Sequence, residues 1–93
     1  MVVNVLKQAI EMYGEDNQLT VAIEELSELI KEICKCKRGE DNRDRIIEEM
    51  ADCYIMLGQL QIIFGIDIKT IDKEIRRKEC RLFKRLKRGV KGA

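Results

Sequence analysis

Two stretches decide the fold: residues 19–37, LTVAIEELSELIKEICKCK, and residues 44–64, DRIIEEMADCYIMLGQLQIIF. In the first, Leu19, Ala22, Ile23, Leu26, Leu29, Ile30, Ile33 and Cys34 recur at i, i+3, i+4 and i+7, the period of an amphipathic α-helix. In the second, Met50, Ala51, Cys53, Tyr54, Ile55, Met56, Leu57, Leu60, Ile62, Ile63 and Phe64 leave almost no polar face. A helix apolar all round has to be covered all round. Between the two lies Gly39-Glu40-Asp41-Asn42, a loop short enough to make them an antiparallel hairpin. Gly39 stops the first helix, and Asn42 or Asp44 is placed to cap the second.

The same punctuation extends outward. Val2–Tyr13 is an apolar segment ending at Gly14, and Glu15-Asp16-Asn17 supplies helix-starting residues ahead of Leu19. Gly65 ends the long apolar helix and Asp67 can cap a last one, whose Ile68, Ile71, Ile75, Leu82 and Leu86 form a narrow stripe among basic residues. The expectation is an all-α fold: a helical hairpin or bundle of about four helices, completed by oligomerisation. Residues 1–88 form one domain, and residues 89–93 form a frayed tail. The chain has 93 residues, so its solitary core is marginal, and little material exists to surround the third helix without a partner subunit. With no proline, no tryptophan and 4% aromatic residues, a many-turned β-sandwich is excluded.

Composition narrows the chemistry further. No histidine is present, which removes Ser-His and Cys-His nucleophiles, His-type zinc hydrolases and Glu-x-x-His di-iron sites. Cys34, Cys36, Cys53 and Cys80 have no spacing that completes a tetrahedral zinc site, and Cys34 and Cys53 stand where small apolar residues fit. Buried free thiols are expected there, in a reducing cytoplasm. No apolar run reaches the ~18–20 residues of a membrane span, and the first residues do not read as a signal peptide. The net charge of +1 conceals an asymmetry: residues 1–68 carry 7 Lys/Arg against 14 Asp/Glu, net −7, and residues 69–93 carry 11 against 3, net +8. Such halves are either two opposed surfaces or an acidic site with a basic arm folded near it.

The acids are ordered. The second helix carries Glu24-Glu25-x-x-Glu28 and the third carries Glu48-Glu49-x-x-Asp52. Residues three apart share a helix face, so Glu25 with Glu28, and Glu49 with Asp52, can each face one ligand. The hairpin brings the pairs toward one another. Four carboxylates together raise each other's pKa values, a conflict that a divalent cation removes. Hard oxygen donors suit Mg²⁺, with Mn²⁺ as the second choice.

The spacing Glu25-x-x-Glu28 … Glu49-x-x-Asp52, with its flanks beginning at Gln18-Leu-Thr-Val-Ala-Ile and Ile-Ile-Glu-Glu-Met-Ala-Asp-Cys-Tyr, resembles the MazG-like all-α nucleoside triphosphate pyrophosphohydrolases, especially their short phage and bacterial forms. The resemblance covers about residues 10–85. It implies Mg²⁺-dependent cleavage of a nucleoside triphosphate to the monophosphate and pyrophosphate, and assembly as a homodimer or homotetramer. Residue by residue, it assigns Glu25, Glu28, Glu49 and Asp52 to the metal and gives Glu24 and Glu48 a supporting or general-base role. Lys73, Arg77 and Arg81, four apart on one ridge, match its basic phosphate-binding element, and Gln18 is grouped with them as a substrate contact. Glu25 and Glu28 are the two carboxylates that could orient the attacking water.

A rival reading makes the chain a non-catalytic regulatory or nucleic-acid-binding bundle that uses its basic last helix. Near-zero net charge and a basic run interleaved with no aromatic but Phe83 count against nucleic acid.

Overall fold

The computed structural model describes residues 2–92, with side chains to residue 89. Four helices follow in order: α1 (Val3–Tyr13), α2 (Glu15–Lys37), α3 (Arg43–Ile63) and α4 (Ile68–Gly92), and no strand occurs among the described residues. The expected tail at 89–93 falls largely outside the residues whose side chains are described; the backbone of α4 is helical to Gly92.

α2 starts four residues before the expected Leu19. Gly14 alone separates the first two helices: its N–H donates to the Ile10 carbonyl at 2.8 Å, closing α1, while its own carbonyl accepts from Gln18 N–H at 3.0 Å, opening α2. Its φ of +88° is open to glycine and costly for other residues. Glu15 and Asp16 then fall inside the first turn, where acids favour the positive end of the helix dipole. At the other end of the hairpin Asn42 occupies the N-cap position of α3 but makes no side-chain cap; its amide turns back to Glu32 instead. Asp67 does cap α4 as expected, its Oδ1 accepting from Lys69 N–H at 3.2 Å.

α2 and α3 form the antiparallel hairpin, and α1 packs across both. Leu6 and Ile10 of α1, Ala22 of α2, and Cys53 and Met56 of α3 are the buried apolar residues. The small Cys53 side chain lets the helices approach, with Sγ 3.5 Å from the Glu25 carbonyl. Beside this core lies a buried amide pair, Gln18 Nε2 donating to Gln59 Oε1 at 2.7 Å, which ties the start of α2 to α3. The core is small because α3 is covered on one side only. Met50, Tyr54, Ile55 and Leu57 are exposed in the single chain, as are Ile23, Ile30 and Ile33 of α2. Cys34 lies on that open side and is exposed, which corrects its assignment as a buried thiol; Cys53 is the one cysteine of the four that is buried.

α4 is set apart. The chain bends by 119° between α3 and α4, and among the described residues α4 has no extensive packing against the other helices. The molecule is therefore extended, 54 × 36 × 20 Å. No single helix among the described residues is long and apolar enough to cross a membrane.

Candidate metal centre

On α2, Ala22 and Leu29 face α3, and Glu25 falls between them at the edge of the seam, half-buried. On α3, Cys53 faces α2, which rotates Glu49 and Asp52 to the same edge of the hairpin as Glu25. One oxygen from each of Glu25, Glu49 and Asp52 lies within 4.8 Å of the others. Glu25 and Glu49 are half-buried and Asp52 is exposed, so the group opens to solvent from the seam.

The electrostatics follow from this placement. Burial raises the Glu25 pKa above its ordinary 4.5; the Asp52 charge, a hydrogen bond with Asp52, and the charges of Glu49 and Glu28 raise it further. Burial also raises Glu49, followed by the charges of Asp52, Glu28, Glu32 and Glu48. The Cys53 thiol is pushed up by burial and then by Glu25, Glu49 and Asp52. Glu49 Oε2 is buried with no hydrogen-bond partner in the protein. An orphaned carboxylate oxygen is costly, and the residue that carries it is one of the close group of three acids. Three carboxylate oxygens at this spacing form a group that could hold a metal ion.

The remaining acids sort differently. Glu28 is exposed and outside the close group of three, yet near enough for its charge to bear on Glu25 and Glu49. Glu48 is exposed and contributes only its charge to Glu49, and Glu24 is exposed and outside the group. Gln18 is 5% exposed and committed to Gln59, so in this structure it is a clamp between helices. Lys73, Arg77 and Arg81 are exposed on α4, and Arg77 is ion-paired with Glu74 one turn before it. Because α4 is not packed on the hairpin, one chain does not bring this ridge to the acids. Of the two arrangements left open by the charge asymmetry, a basic arm folded onto the acidic site is not the one the single chain adopts.

One acid was missed. Glu32 is only 2% exposed. Its Oε1 accepts from Asn42 Nδ2 at 3.0 Å, the same amide donates to the Glu32 carbonyl at 2.9 Å, and Oε2 pairs with Lys35 at 3.3 Å. The Asn42 hydrogen bond foremost, with help from Lys35 and Arg45, holds the Glu32 carboxyl below its usual range. Glu32 thus pins the turn of the hairpin and sends its charge toward Glu49. The signal was present: Glu25, Glu28 and Glu32 continue one helix face at i, i+3, i+7.

No family model, no curated protein and no solved structure matches the chain.

Proposed function

We propose that the chain is a Mg²⁺-dependent nucleoside triphosphate pyrophosphohydrolase whose metal is held by Glu25, Glu49 and Asp52. The observation that carries this reading is the close group of three carboxylates across the α2–α3 seam, with Glu49 Oε2 buried and unpartnered. A divalent cation at such a group supplies charge neutralisation for the oxygens of a bound triphosphate. The chain's own part is positional. Glu25 and Glu49 are fixed by the hairpin seam, and Cys53 sets the height of α2 against α3 through the Glu25 carbonyl. Glu28, exposed beside the group and not one of its close members, is free to accept a hydrogen bond from a water. In the hydrolysis the oxygen of that water bonds to the α-phosphorus, the α–β anhydride bond breaks, and pyrophosphate leaves. The water's proton passes to Glu28. No histidine is required at any point.

The products test the reading. Phosphorus NMR of a dNTP or NTP incubated with the protein and Mg²⁺ should give monophosphate and pyrophosphate. Diphosphate with inorganic phosphate, or no product across the canonical nucleotides, would reject it.

A second reading, nucleic-acid binding by α4, draws on one observation: Lys73, Arg77, Arg81, Lys84 and Arg88 are all exposed on a helix that is not packed extensively on the others among the described residues. It predicts metal-independent binding that weakens steeply with salt.

A further inference from the structure

The hairpin has two unlike flanks. The acids lie along one edge of the α2–α3 seam. Along the other runs a shallow apolar groove of about 270 Å³ lined by Leu26, Leu29, Met50, Cys53, Tyr54 and Leu57. Helix geometry places Ile30 and Ile33 on that same flank, one and two turns beyond Leu26. No described residue covers it. α4 presents the matching defect: Ile75, Leu82, Phe83 and Leu86 are each about half exposed or more, on one arc of a helix that touches no other element appreciably. The 119° bend at Gly65 carries this arc away from its own hairpin.

We propose that the bare flank of the hairpin is the seat of α4 from a second copy of the chain, the two copies exchanging these helices reciprocally about a two-fold axis. Three observations favour this occupant. The first is area. The chain exposes 7728 Å², whereas a compact chain of this mass exposes about 5,600 Å². The excess, about 2,100 Å² per copy, is what stable two-chain interfaces of the larger kind bury. The radius of gyration of 17.0 Å against about 12 Å for a compact chain of this length says the same.

The second is charge. Residues 69–93 carry net +8 and residues 1–68 net −7, so two α4 helices repel one another while each is drawn to the other copy's body. Reciprocal exchange satisfies both attractions at once and closes without leaving an open end. The third is the stripe itself. Asp72 lies one turn after Ile68, and Glu79 one turn after Ile75, so two carboxylates interrupt the apolar arc. An acyl-chain boundary tolerates these poorly, whereas a protein surface can pair them. Lys73, Arg77 and Arg81 fall on the opposite side of α4 from this arc and stay in solvent when it docks.

The test uses two full-length variants altered only at positions exposed in the single chain. An arm variant carries Leu82→Asp and Leu86→Asp; a face variant carries Leu26→Asp and Leu57→Asp. By light scattering at micromolar concentration the wild type should have twice the 10.9 kDa chain mass. Each variant alone should be monomeric with its helical circular dichroism retained. Mixed in equal amounts, they should recover a dimer containing one of each, because the face variant still has a sound arm and the arm variant a sound face. If the mixture stays monomeric, like surfaces pair with like and the proposal is wrong. An arm variant that remains dimeric overturns it, as does a monomeric wild type, even one captured by phosphatidylglycerol vesicles or duplex DNA. Amide exchange on the wild type gives a second reading without any substitution. α4 should be protected in the dimer and lose that protection on dilution; a freely exchanging α4 in a dimer would contradict the exchange.

Discussion

Replacing Gln59 with methionine separates a structural clamp from a substrate contact. The Gln18–Gln59 pair is 5% and 4% exposed, with an N–O distance of 2.7 Å. Gln59→Met preserves length and flexibility and removes the acceptor, so the Gln18 amide is left buried without a partner. That costs about 1–3 kcal/mol, the desolvation of one orphaned neutral group. For a domain of this size each kcal/mol moves the melting temperature by roughly 4–8 °C, so a fall of roughly 5–20 °C is expected. The double variant Gln18→Met/Gln59→Met removes both polar groups and should regain more than half of the loss, since replacing both partners by apolar groups of similar shape is close to neutral. Melts should be run at one protein concentration, because assembly makes the midpoint concentration-dependent. If Gln18 instead contacts substrate, Gln18→Met should raise KM and leave the midpoint within a degree or two. That outcome would refute the clamp.

Saturating Mg²⁺ should raise the melting temperature of the wild type, by about 2.7 kcal/mol of stabilisation at one hundred times Kd, and Glu49→Gln should abolish that rise while keeping the helical spectrum. Without divalent cations, Glu25 and Glu49 bind protons more tightly folded than unfolded. Their contribution to stability is complete below the ordinary value of 4.5 and is lost as pH rises through their raised values, so the midpoint should fall as pH rises above 4.5. Glu32 acts in the opposite sense: its contribution is present above 4.5 and is lost as pH falls through its lowered value. A metal-free midpoint that climbs steadily as pH rises above 4.5 would contradict the raised pair. Arg81→Ala should leave both the Mg²⁺ shift and hydrolysis unchanged, since α4 does not pack on the hairpin of its own chain; a tenfold loss of turnover would place another copy's ridge at the site. In native protein Cys53 should be the last of the four cysteines to react with maleimide, being buried with its thiol pKa raised.

Much of this was legible in the residues. Helical periodicity and three glycines with positive φ set four helices, and the short Gly39–Asn42 connection set the hairpin. Spacing alone also drew Glu25, Glu28, Glu49 and Asp52 toward one site, because a three-residue step and an antiparallel partner leave the acids little freedom; the fold brings Glu25, Glu49 and Asp52 close and leaves Glu28 outside. What sequence could not supply was which apolar face meets which. α2 has apolar residues over a wide arc, and the pattern does not say that Ala22 and Leu29 face α3 while Ile23, Ile30 and Cys34 stay open. The same ambiguity hid Glu32, which reads as one more surface acid until Asn42 turns back from the loop to bind it. Gln18 misled for a related reason: a polar residue heading a motif suggests a ligand contact, and only the position of Gln59 forty-one residues later makes it a clamp. The ridge Lys73-Arg77-Arg81 was correctly placed on one helix face, but the bend at Gly65 decides where that helix goes.

The proposed site asks Glu25, Glu49 and Asp52 to bind a divalent cation that hydrolysis requires. Isothermal titration of Mg²⁺ into the metal-free wild type and into Asp52→Asn, with pyrophosphate release followed on the same preparations, addresses it directly. The predicted result is one saturable site and Mg²⁺-dependent pyrophosphate release in the wild type, with both lost in the helical, folded variant. Asp52→Asn that binds Mg²⁺ and releases pyrophosphate as the wild type does would rule out this metal site.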